Sequence, residues 1–144
     1  MAITQAMATS FKAEILDEVH DLVADTIKIA LYTSSATINA TTTAYSTSNE
    51  VANGNGYATG GVTLTNKAVS TAGASTSGGT AFFDADDPTW TSASFTARGA
   101  LIYNSSASDK AIAILNFGGD FTVSSGTFRI VFPAAGANAI ITIA

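Results

Sequence analysis

From Phe11 onward the apolar residues fall at Phe11, Ile15, Val19 and Leu22, a spacing that lays one stripe along an α-helix. Leu16 and Val23 widen the stripe, while Glu14, Asp17, Glu18, Asp21 and Asp25 take the opposite side. Thr9 or Ser10 offers an N-cap hydroxyl to an orphan backbone N–H. The pattern predicts one amphipathic helix over residues 9–25, about four turns long. An apolar stripe serves equally to pack on the chain's own sheet or on a neighbour.

At Thr26 the period shortens to two. Ile27, Ile29 and Leu31 point one way and Lys28, Ala30 and Tyr32 the other, which predicts a half-buried strand. Residues 33–61 are rich in Ser, Thr, Asn and Gly and include Asn53-Gly54-Asn55-Gly56-Tyr57, so a long loop with at most short strands is expected. Val62 and Leu64 begin a second strand that fades toward Ser70, and residues 70–79 read as a surface connection.

Phe82 and Phe83 open another apolar patch, closed by Asp84 to Pro88. Residues 91–97 alternate around Phe95, residues 100–103 continue as strand, and residues 104–110 supply a turn. Both faces of residues 111–117 are apolar, as in a central strand. Turns are expected at Gly118-Gly119-Asp120 and at Ser124–Gly126, with a short strand at Phe121 and Val123 between them. Phe128, Ile130 and Phe132 face the core until Pro133 ends that strand, and residues 139–143 form the last.

Short strands with closely spaced turn signals predict a mainly β fold: an antiparallel β-sandwich, jelly-roll-like, with one N-terminal amphipathic helix. The length suits one domain over residues 1–144, with the sandwich and its long loops spanning 26–144. A doubly wound α/β fold needs helical crossovers, and one helix supplies none.

Charged residues make up 12% of the chain, about half the ordinary share. Hydroxyls replace them, which suits a pleated, half-exposed surface. The net charge of −5 argues against a nucleic-acid partner, because binding that polyanion needs clustered cations. No membrane partner is expected, since no apolar run approaches the ~18 residues of a spanning helix. The opening residues lack a basic segment followed by a long apolar run, so a secretory signal is not expected either. The absence of cysteine removes disulfides and thiolate chemistry together.

Candidate chemistry is sparse. His20, the single histidine, shares a helix face with Asp17, which makes half a zinc site at best; a solvated helix face is expected. Asp84, Asp86 and Asp87 lack the spacing of a calcium loop and read as a turn. The glycines of residues 53–61 lack the lysine and following helix of a phosphate loop. Asn39 and Asn104 match the glycosylation sequon by chance. No catalytic residue, cofactor or metal is assigned. Arg98, one of six basic residues, precedes Gly99 in a strand, so a bulge or a close backbone approach is expected there. Its expected role is a structural pairing, with a helix carboxylate or one from Asp84–Asp87, or a contact between subunits. Phe11, Ile15, Val19, Leu22 and Arg98 are the candidate contacts with another subunit or a partner surface.

The segments MAITQAMATSFKAEILDEVHDL, IKIALYTSSATINATTTAY, ARGALIYNSSASDKAIAILNFGGDF and GTFRIVFPAA, with AIITIA at the end, together resemble small virion structural proteins of tailed bacteriophages, cyanophage types included. The most specific parts are residues 97–104 and the Gly118-Gly119-Asp120 segment. The resemblance implies a non-enzymatic capsid decoration, or cement, protein. Such a protein is made in the host cytoplasm and binds the major capsid protein on the capsid surface, as a homotrimer. A tail or head–tail connection component is the alternative it implies.

Overall fold

A computed structural model of the chain describes residues 2–72 and 79–143. Its elements run β1 (Ala6–Met7), α1 (Thr9–Leu16), β2 (Ile27–Tyr32), β3 (Val62–Thr63), β4 (Ala68–Ala72), β5 (Thr80–Asp84), β6 (Thr89–Asn104), β7 (Lys110–Arg129) and β8 (Ile141–Ile143). The fold is mainly β. One sheet has the order β1-β7-β6-β2-β3 and the other the order β4-β5-β8, with all neighbours antiparallel. Both sheets contribute to one hydrophobic core, which runs from Ile3 and Phe11 through Ile29, Leu31, Leu101, Ile112 and Ile114 to Phe83 and Ile141.

The strongest local patterns become the centre of the larger sheet. Ile27, Ile29 and Leu31 of β2 are buried, and residues 111–114 of β7 are buried on both faces. Together with residues 100–104 of β6 they form the layer to which everything else attaches. The division into five and three strands differs from a jelly roll, in which two Greek keys make two four-stranded sheets.

Two expected turns are instead irregularities inside β7. Gly118 has φ +80° and Ser125 has φ +49°, yet the strand passes through both and keeps its pairing with β6. The register runs Gly99↔Asn116 and then Ala97↔Phe121, so the surplus residues bulge out around Phe117–Gly119 while Asp120 stays beside Phe121 and near Arg98. Several turn types and the G1 type of bulge ask for the same residue types, because both place a residue at positive φ. One long hairpin therefore replaces several short strands. Past Gly99, where β2 ends, residues 89–97 and 121–129 continue as a two-stranded ribbon.

The helix also departs from expectation. α1 stops at Leu16, so the stripe predicted over residues 9–25 is helical only in its first half. Glu18 takes φ +57°, and the Asp21 carboxylate accepts hydrogen bonds from the Val23 and Ala24 N–H groups. Such local side-chain bonds offer the backbone an alternative to the helix. Ala8 occupies the N-cap position without a side-chain cap; the Thr9 N–H donates to Ala40 O instead. The Ser10 hydroxyl, one of the two expected caps, is buried without a partner among the described residues. Of the connection expected over residues 70–79, β4 takes the part up to Ala72, and residues 73–78 lie outside the described residues.

Candidate functional site

Three places gather polar or apolar side chains in ways that bear on function. The first joins the acidic segment to the β6–β7 turn. His20, expected on a solvated helix face, is instead buried, with a side chain 0% exposed beside the Phe11 ring. Helix termination at Leu16 lets residues 17–25 fold back and carry it inward. Asn104, wholly buried at the end of β6, accepts through Oδ1 from the Ser106 and Ala107 N–H groups, which fixes its amide orientation. Its Nδ2 then donates to Asp25 Oδ2 (2.7 Å) and to His20 Nδ1 (3.1 Å). That leaves His20 Nε2–H to donate to Glu14 Oε2 at 2.8 Å, while Lys110 Nζ holds Glu14 Oε1 at 3.0 Å.

Partial burial alone would raise the Glu14 carboxyl, but the hydrogen bonds and charges of His20 and Lys110 outweigh it and hold it below its ordinary value. The Asn104 amide and the Asp21 N–H do the same for Asp25. The side-chain oxygens and nitrogens of Glu14, His20 and Asn104 all face partners already in place. It clips residues 17–25 to the sheet.

The second network was not anticipated. Glu50 Oε2 accepts from Tyr45 Oη (2.6 Å), and Oε1 accepts from Tyr57 Oη (2.6 Å) and from the Gly60 N–H (2.7 Å). Tyr57 Oη in turn accepts from the Leu31 N–H, and Tyr103 Oη donates to Gly60 O. Tyr45 stacks on Tyr103 with ring centroids 4.5 Å apart. Burial, aided by the negative charge of Glu50, pushes the Tyr45 and Tyr57 phenols well above their ordinary range. Burial, with Asp109 and Glu50 nearby, pushes Tyr103 up to about 12. This network pins the long loop of residues 33–61 to the sheet. A faint sequence signal existed: Glu50 is the only charged residue between Lys28 and Lys67, and it lies between two tyrosines.

The third place is where the candidate contact residues lie. Phe11, Ile15 and Leu22 line a groove of about 610 Å³ whose other wall is the second sheet, with Phe82, Phe83 and Ile141. Phe11 and Leu22 are themselves buried, so this stripe packs within its own chain. Val19 is half-buried outside that lining, while Leu16 is 86% exposed. Arg98 stands apart from all four on β6. Its Nη1 lies 3.5 Å from Asp120 Oδ1 on β7, and neither the helix nor Asp84–Asp87 supplies the partner expected for it. The close approach expected at Gly99 is present: a Cβ there would lie 2.6 Å from Leu115 O and 2.8 Å from Ile3 Cγ2.

Asp84 ends β5, and the residues after it are held by protein donors. Asp86 Oδ2 accepts from Thr65 and Asn66, while Asp87 accepts from the Phe132 N–H and from Arg129. The Phe132 bond, offset in part by burial and reinforced by Arg129, lowers the Asp87 carboxyl. Comparison with protein-family models, with curated proteins and with solved structures returns no match.

Proposed function

We propose that this chain is a non-enzymatic structural protein of a tailed-phage virion, a decoration protein that binds the major capsid protein on the outside of the shell. The resemblance of its segments to such proteins supports the reading. The observation that carries it is the use made of the ionisable groups. Glu14, His20, Asp25, Glu50 and Asp87 are all engaged by hydrogen bonds inside the chain, so they fasten loops to the sheets. Beside its exposed charges the surface offers many hydroxyl-bearing side chains and exposed large apolar ones, Leu16, Val69, Phe121 and Val131. Such a surface is suited to adhesion, because apolar contact and neutral hydrogen bonds join it to a neighbour without charge repulsion.

The test is binding to purified shells that lack decoration. Added protein is expected to co-sediment with the shells, to saturate in proportion to the capsid subunits, and to raise the temperature at which the shells come apart. Binding confined to a single vertex would reassign the chain to the head–tail connection. No binding to shells would overturn the virion-surface reading.

A further inference from the structure

The outer edge of β7 is open over most of its length. Near its start it is covered: Ala44 bridges Lys110, the Ala111 N–H donates to Thr43 O, the Ala8 N–H donates to Ile112 O, β1 pairs with Ala113 and Ile114, and the Gln5 side chain accepts from the Asn116 N–H. From residue 117 to residue 129, β7 has β6 on one side and, among the described residues, no strand on the other. Unpaired strand edges present backbone donors and acceptors to other chains, and proteins commonly blunt them with lysine or proline. Between Phe117 and Phe132 there is neither, and the only charges are Asp120 and Arg129. One face of this stretch is apolar, with Phe121, Val123, Phe128 and Ile130 along an open groove of about 430 Å³. Phe121 is 53% exposed.

The bulge decides which residues share a face. The pairs Phe95↔Val123 and Ala93↔Gly126 show that Ser124 and Ser125 together stand where one residue would, so Val123 and Gly126 fall on the same side. Phe121 and Phe128 then share that side as well. We propose that two copies of this chain pair antiparallel through this edge, about a two-fold axis at Ser124–Ser125. The axis sets Val123 opposite Gly126 of the second copy, Phe121 opposite its Phe128, and Asp120 opposite its Arg129. Aromatic and opposite-charge pairs directly across antiparallel strands are the stabilising ones, and each occurs twice by symmetry. Slipping the register by one residue turns the apolar face outward. Slipping it by two sets Asp120 against Thr127 or Val131 and loses both ion contacts.

Asp120 and Arg129 have partners in their own chain, Arg98 and Asp87, but their side chains remain 50% and 58% exposed and free to take a second. This pairing makes dimers, whereas the virion resemblance implies trimers, and it stands independently of the virion reading. Sedimentation of the purified chain is therefore expected to show a reversible monomer–dimer equilibrium. Asp120→Arg and Arg129→Asp, each alone, place like charges opposite one another twice and are expected to sediment as monomers. An equal mixture of the two variants restores both contacts and is expected to dimerise. Circular dichroism establishes that each variant is folded. If either is not, a second measurement decides: the chain has no cysteine, so Ser124→Cys is expected to form an intermolecular disulfide on mild oxidation. Thr63→Cys, on β3 at the far edge of the same sheet, is expected to stay monomeric. A wild-type chain that stays monomeric at all concentrations, a trimer, or equal cross-linking at both cysteines would overturn the proposal.

Discussion

Removing the Glu50 carboxylate leaves two phenolic O–H groups and the Gly60 N–H without their acceptor. Buried donors left unsatisfied are expensive, so Glu50→Ala is expected to destabilise the protein by about 3 kcal/mol or more in urea unfolding. Arg98→Met makes the informative contrast. Its ion pair with Asp120 spans 3.5 Å between side chains 37% and 50% exposed. Pairs of that kind are worth little, and the monomer's stability is expected to change by no more than ~0.5 kcal/mol. The residue beside it is the constrained one: at Gly99, Ile3 and the Leu115 carbonyl leave no room for a side chain.

Strands were legible where burial follows from composition alone. The apolar run at residues 111–114 carries its own explanation, since burial on both faces shows in the residues themselves. β2 was legible as a strand but not as one buried on both faces, because Ala30 and Tyr32, expected on its open side, are covered as fully as Ile27, Ile29 and Leu31. The helix was half legible. Phe11 and Ile15 do sit on α1, but Asp17, Asp21 and Asp25 favour turns as readily as helices, and what settles the matter is a pocket for His20 supplied largely by Asn104, far away in sequence. No periodicity reports a partner at that separation. Gly118 and Ser125 were read as parts of turns; both take a positive φ, but the chain reverses at neither. The difference lies in β6, whose length keeps both strands paired past each irregularity. The contact stripe of Phe11, Ile15, Val19 and Leu22 was spaced as expected, yet its first and last members are buried in the chain's own core.

Taken together, the polar networks give the molecule a defined pH window. Glu14, Asp25 and Asp87 all have carboxyls lowered by folding, from ordinary values of 4.5, 3.8 and 3.8. A lowered carboxyl contributes stability above its unfolded value and loses it as the pH falls through the folded one. Unfolding free energy is therefore expected to hold steady near neutrality and to drop as the pH goes below about 4.5, where Glu14 begins to protonate in the unfolded chain. The alkaline limb has the opposite sign. Tyr103, raised from 10.0 to about 12, contributes below 10.0, and that contribution is lost as the pH climbs through about 12. Phenolate absorbance followed beside circular dichroism checks this: the tyrosines are expected to ionise together with loss of structure and not before it.

Trp90, the single tryptophan, lies 3% exposed between Tyr57 and Phe128 on the ribbon, and its indole N–H finds no acceptor among the described residues. Near-ultraviolet emission from this protein is thus a local reading of the packing around Tyr57 and Phe128. It is expected to be blue-shifted and fed by energy transfer from the neighbouring tyrosine. It will respond when the ribbon frays.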